Sequence, residues 1–280
     1  MNAFIKKLYI LYIQNFFCFF DLVVNMNKKL KSISIFSIAL MLASVLFIAG
    51  CVEEENKIIV GTSADFPPFE YTDSNGTIIG FDVDMITKIL QDAGYTVEVQ
   101  DIAFDSLIPS LESGKINVIA AAMTITEARE QQIDFSEAYF EADQSVLTKV
   151  GTDLNLSINK DLQNFTVGAQ TGTTGAGWIE ENLVDNGNMS EDDFKRYETY
   201  TLAVLDLVNG NIDAIVLDKP VAESYVKNQN VEIVKTIITE EYYGIGVKQD
   251  NTELLEKINT GLTTLMDSDD WDTLIMKYFE

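Results

Sequence analysis

The chain has no histidine at any of its 280 positions, and its two cysteines, Cys18 and Cys51, both precede the part that reads as globular. Triads built on imidazole or thiol, Cys/His zinc sites and structural disulfides are therefore excluded from the body of the protein. Any catalysis is left to carboxylates, lysines, tyrosines and hydroxyls. Only 4 prolines and 16 glycines occur, too few for a disordered or fibrous chain. Basic residues are scarce as well: 19 Lys and Arg stand against 44 Asp and Glu, a formal net charge of -25. A surface of that sign repels phosphate backbones, which excludes nucleic acid as a partner. It reads as the solvated acidic surface of an exported protein. At 47% hydrophobic, with 16 Phe and 11 Tyr, the chain has ample apolar area for one or two packed domains.

Long apolar runs are confined to the N-terminus. From Met26 the sequence places Lys28, Lys29 and Lys31 ahead of an apolar run from Ile33 to Ala49, closed by Ile48-Ala49-Gly50-Cys51. That is the layout of a secretory signal over 26–50, and its end resembles the lipobox of exported lipoproteins, in which the cysteine is acylated. A retained membrane helix is the rival, because the run is about as long as the shortest spans. The acidic Glu53-Glu54-Glu55-Asn56 suits a short tether over 51–56 and favours cleavage and lipidation at Cys51. Residues 1–25 carry a second apolar, aromatic patch, and Met26 reads as the true start.

Beyond the tether, strand and helix patterns alternate. Lys57–Thr62 is a short β-branched run, and an Asn75-Gly76 turn joins strands at 69–71 and 77–79. Apolar residues at Val83, Met85, Ile86, Ile89, Leu90 and Ala93 have helical spacing, stopped by Gly94. Strand patterns follow at 95–100 and 116–122 and a helix at 105–113. The second half repeats the rhythm with strands at 165–169, 212–217, 233–238 and 242–247. Its helices are expected at 177–183, 201–210 and 252–278. The alternation argues for an α/β protein with mostly parallel sheets, divided into two units.

Five segments in this order are GTSADFPPFEY (61–71), IGFDVDMITKIL (79–90), the run from Phe104 to Phe140, VGAQTGTTG (167–175) and IDAIVLDKPVA (212–222). Together they resemble the substrate-binding proteins of polar amino acid ABC transporters, the bacterial-type extracellular solute-binding proteins of family 3, over nearly all of 57–280. The resemblance implies a type II periplasmic-binding-protein fold, two lobes each with a mixed sheet flanked by helices. Lobe 1 is then 57–142 plus 241–280 and lobe 2 is 143–240, with hinge strands near Glu141–Ser145 and Ile238–Tyr242. It further implies a monomeric, non-enzymatic protein without cofactor or metal. Such a protein is lipid-anchored outside the cytoplasm and delivers a free amino acid to a permease and its ATPase.

By the same resemblance Arg129 grips the α-carboxylate of the zwitterion, for which a planar guanidinium fork is suited. Read from spacing alone, Arg129 is as readily a surface residue paired with Glu127 or Glu130. Asp218 is implied to accept the α-ammonium; it follows an apolar strand, at the strand end where open α/β sheets bind ligands. Its bland alternative is a turn residue before Lys219-Pro220. Phe66 and Phe104 match positions whose rings sandwich the ligand, although core packing is the usual fate of a Phe. Ala122 and Thr124 match positions that touch it through backbone or hydroxyl. Thr173 and Thr174 lie where free N–H groups at a helix start meet a carboxylate. Gln170 and Ser63 match positions that vary with the side chain bound. Ser63 is often Asp in binders of basic amino acids, so the departure weakens a lysine or arginine ligand unless Asp65 or Glu70 supplies the charge. Two rival readings use the same scaffold: a dehydratase-like enzyme with Glu70 or Asp65 as proton shuttle, and a binding protein that feeds a receptor.

Overall fold

The structure is a computed structural model that describes residues 56–152 and 159–280. The expected N-terminal extension, signal segment and Cys51 lie outside the described residues. Among the described residues no helix is long and apolar enough to cross a membrane.

The chain opens with β1 (Lys57–Thr62), whose β-branched side chains fit a buried, pleated position. A three-stranded meander follows: β2 (Asp65–Phe66), β3 (Glu70–Thr72) and β4 (Ile78–Ile79). The turn between the last two forms as its sequence requires. The Asp73 carboxylate accepts the N–H groups of Asn75 and Thr77, both at 2.8 Å, and Gly76 takes φ 81. Gly80, at φ 145, can only be glycine, since a Cβ there would lie 2.0 Å from the Phe69 carbonyl oxygen. Next comes α1 (Phe81–Asp92), which buries Phe81, Met85, Ile86, Ile89 and Leu90 and stops ahead of Gly94 at φ 89.

The first sheet is completed by β5 (Thr96–Asp101), β6 (Val118–Ile119), β7 (Ile133–Phe135) and β13 (Gly246–Lys248), in the order β5-β1-β6-β13-β7. Around it stand α2 (Leu107–Glu112), the short α3 (Glu127–Glu130) and the C-terminal pair α7 (Thr252–Met266) and α8 (Asp269–Phe279). The second sheet has the order β10-β9-β11-β8-β12. Its members are β8 (Phe140–Lys149), β9 (Val167–Gln170), β10 (Phe194–Tyr197), β11 (Ala214–Asp218) and β12 (Val231–Tyr243). Its helices are α4 (Thr174–Ile179), α5 (Tyr200–Asn209) and α6 (Lys219–Asn228). These two sheets are the centres of a two-lobed fold, and β8 and β12 pair side by side on the path between them. Near the crossing the pairing shifts register between Ile237 and Glu241. There Glu240 takes φ 51, and Asp143 accepts the freed N–H groups of Thr239 and Glu240.

Several expectations are corrected. Each five-stranded sheet holds two parallel and two antiparallel pairings, mixed as the resemblance implies and not mostly parallel as the alternation alone suggests. The returning strand β13 and the crossing strand β8 run against the βα units they join. The strand expected at 116–122 is cut to Val118–Ile119, because the chain then turns at Ala122, φ 44, into the interlobe wall. The helix expected at 177–183 starts three residues earlier, where the Thr173 hydroxyl accepts the Ala176 N–H. The long closing helix is two helices, broken at Asp267-Ser268, with Asp269, Asp270 and Asp272 favourably placed at the start of the second.

Candidate functional site

Side chains carried on the loops after β1, β5, β6, β9 and β11 meet between the lobes, at the carboxyl ends of those strands. They line a narrow pocket whose non-atom space, part of it open to solvent, is about 290 Å³. Its lining is Ser63, Phe66, Glu70, Phe104, Ala122, Thr124, Arg129, Gln170, Thr173, Thr174 and Asp218. All ten expected ligand residues are thus brought together, and Glu70 joins them.

Arg129 sits on α3, which Thr126 caps. It does not pair with Glu127 or Glu130: the side chain turns inward until the residue is only 9% exposed. One guanidinium nitrogen donates to the Thr124 carbonyl at 2.6 Å, and another crosses the cleft to the Gly172 carbonyl at 3.0 Å. The guanidinium also lies 5.3 Å from the centre of the Phe104 ring, within cation–π range. Burial holds its pKa below the ordinary arginine value, opposed by the negative charges of Asp218 and Glu241. No ion pair among the described residues includes it. A buried guanidinium whose nearest partners are carbonyls favours a carboxylate close by.

Asp218 ends β11 and is 4% exposed. It immediately precedes α6, and its side chain makes no capping bond to that helix. It accepts instead from Gln144 Nε2 at 2.6 Å and from the Tyr243 hydroxyl. Burial pushes its pKa up to about 7, helped by repulsion from Glu241 and opposed by those two donors and Arg129. Phe66 is buried, its ring 5.5 Å from Tyr200 and 6.2 Å from Phe69. Phe104 is half-buried.

The hydroxyls of Thr124 and Thr174 are engaged within the protein. Both hydroxyls donate to one oxygen of Glu241, at 2.8 and 2.6 Å, while Gln144 Nε2 reaches the other at 3.0 Å. Thr173 caps α4 and bonds the Gln170 carbonyl. Gln170 is held by the Glu198 carbonyl at 2.9 Å and lies near Asp65 and Ser63. Sequence reasoning missed Glu241 and Gln144, which lie in the crossing strands, and Asp82. The buried Asp82 accepts the N–H of Ala122 at 2.7 Å and the Tyr139 hydroxyl, and burial pushes its pKa up to about 7.

Glu70 is fully buried, and neither carboxylate oxygen has a hydrogen-bond partner among the described residues. Burial raises its pKa well above the usual carboxylate range, and the charges of Asp82, Asp65 and Asp218 raise it further. Of the two acids near Ser63 considered as a source of negative charge, Asp65 lies outside the lining and Glu70 inside it.

The sequence profile described as bacterial extracellular solute-binding proteins, family 3, matches residues 58–280. A probable histidine-binding protein of Neisseria gonorrhoeae is 33% identical over 225 residues, covering 79% of this chain and 82% of that protein. Among solved structures, an ancestral arginine-binding protein bound to arginine has 39% identity and a TM-score of 0.76, covering 81% of this chain and 99% of that one. An ancestral amino acid-binding protein described as a precursor of cyclohexadienyl dehydratase has 31% identity and a TM-score of 0.75, covering 82% of this chain and 98% of that one.

Proposed function

The chain belongs to the bacterial extracellular solute-binding proteins of family 3, and on that premise we propose that it captures a free amino acid with a cationic side chain, arginine foremost, for import. The observation that carries the reading is one cavity holding a buried guanidinium from the first lobe and a buried carboxylate from the second. Arg129 and Asp218 match the two ends of a zwitterion, and a ligand that touches both favours the closed lobes. Glu70 supports the side-chain class: two buried, unpartnered acceptors in the lining call for a donor-rich, positively charged group. The lobes in this proposal are 57–142 plus 241–280 and 143–240.

A thermal-shift screen of the twenty amino acids tests it. Arginine at a thousandfold excess over its Kd stabilises by about 4 kcal/mol, raising Tm by roughly 10 °C. A screen in which no amino acid raises Tm overturns the proposal. The proposal includes no turnover, and the ligand recovered after incubation is expected unchanged.

The protein delivers its ligand as a monomer to a permease and ATPase from outside the cytoplasm, held by a lipid on Cys51. That anchor rests on the signal-like sequence at 26–51. In the expressing cell a Cys51→Ser variant leaves the membrane fraction; a parent chain found in the soluble fraction overturns the anchor.

A further inference from the structure

Asp65 lies beside the cavity but not in its lining, and three donors of the opposite lobe converge on it. The backbone N–H of Tyr200, at the start of the ten-residue α5, donates to its carboxylate at 2.5 Å. Gln170 Nε2, at the end of β9, approaches the same carboxylate at 3.3 and 3.5 Å. The Tyr225 hydroxyl, on α6, donates to the Asp65 carbonyl at 3.0 Å. Within its own lobe the carboxylate is steadied by the Ser63 hydroxyl at 3.1 Å. A carboxylate at the N-terminus of a helix is favoured by the exposed N–H groups and by the helix dipole. Here the carboxylate belongs to one lobe and the helix to the other, so the pairing exists only while the lobes are shut.

We propose that Asp65 is the cross-cleft clasp of this protein: a residue that touches no ligand atom and sets how long the closed form persists. The proposal rests on the reading of the cleft as an amino acid trap. Because the clasp acts on closure, its loss weakens every ligand by one common factor, whereas loss of a ligand contact changes the ranking of ligands. The change falls on dissociation, since association precedes closure.

The test uses stopped-flow binding of the two amino acids that raise Tm most. For Asp65→Ala the dissociation rate rises about 10- to 100-fold for both ligands alike, with association within threefold of the parent. Asp65→Asn, which keeps an acceptor for the Tyr200 N–H, falls between. Tyr225→Phe, which removes only the bond to the Asp65 carbonyl, gives a rise of a few-fold and keeps the test available where Asp65→Ala does not fold. Parental dissociation rates in Asp65→Asn and Tyr225→Phe, or factors that differ between the ligands, overturn the clasp. A parent protein that binds no amino acid sinks the functional reading and the clasp with it.

Discussion

Replacing Arg129 by alanine is expected to lower affinity for the amino acid by about a thousandfold, the largest effect of any single change to this site. Truncating one member of a buried, hydrogen-bonded charge pair costs about 2–5 kcal/mol, and each 1.4 kcal/mol is tenfold in Kd. Arg129 stands at the upper part of that range because it does two jobs. Its charge, buried among carbonyls, is the natural partner of the ligand carboxylate. Its reach to the Gly172 carbonyl also ties one lobe to the other. A lysine keeps the charge but cannot span Thr124 and Gly172 together, since it carries a point charge and not a planar fork. Arg129→Lys is therefore expected between parent and alanine, about 30-fold weaker than the parent. Titration calorimetry reads both, with the variant's own Tm as the check on folding. An alanine variant within threefold of the parent would remove Arg129 from the binding site.

Arg129 was legible through the resemblance of its segment, since spacing alone left it as readily a surface residue, although part of its surroundings is local. Thr124, Thr126 and Arg129 lie within six residues, and their bonds to one another form in one turn of chain. Ser63, Phe66 and Glu70, then Gln170, Thr173 and Thr174, are likewise short runs at strand ends, where an α/β lobe presents its loops. What stayed hidden depends on distant pairing. Glu241 receives Thr124 across 117 residues of sequence and Gln144 across 97, and no spacing rule announces either. Asp82 is, by position, an acidic residue in the first turn of a helix. The fold turns it inward to hold the left-handed Ala122, a role no periodicity can reveal. Strand direction was misjudged for a related reason: β13 enters the first sheet after the chain has crossed to the second lobe and returned. The break at Asp267-Ser268 was visible in principle, since a serine followed by two acidic residues is a helix-start signal. The continued apolar spacing on either side masked it.

The second large effect concerns which amino acid is held. Glu70→Gln is expected to weaken arginine by about a hundredfold while leaving neutral amino acids near or above their parental affinity. Glutamine has nearly the shape of glutamate and keeps an acceptor, so the change removes charge and one acceptor with little repacking. A guanidinium opposite a carboxylate makes two parallel charge-assisted bonds, each contributing about 1.5–3 kcal/mol. The protonation state carries a second signature. Burial and its acidic neighbours keep the Glu70 pKa well above the usual range, and burial pushes that of Asp218 up to about 7. A cationic ligand favours the ionised form of both groups, so binding lowers their pKa values and releases protons. The sign follows: arginine affinity climbs as pH rises toward and through about 7, where Asp218 loses its proton, because fewer protons remain to be displaced. Calorimetry in two buffers with different heats of ionisation counts the protons released near pH 7, and Glu70→Gln is expected to release fewer. An unchanged ratio of arginine to glutamine affinity in Glu70→Gln would deny Glu70 its place opposite the side chain. The cavity would then be a site for the zwitterion alone, with side-chain choice set elsewhere.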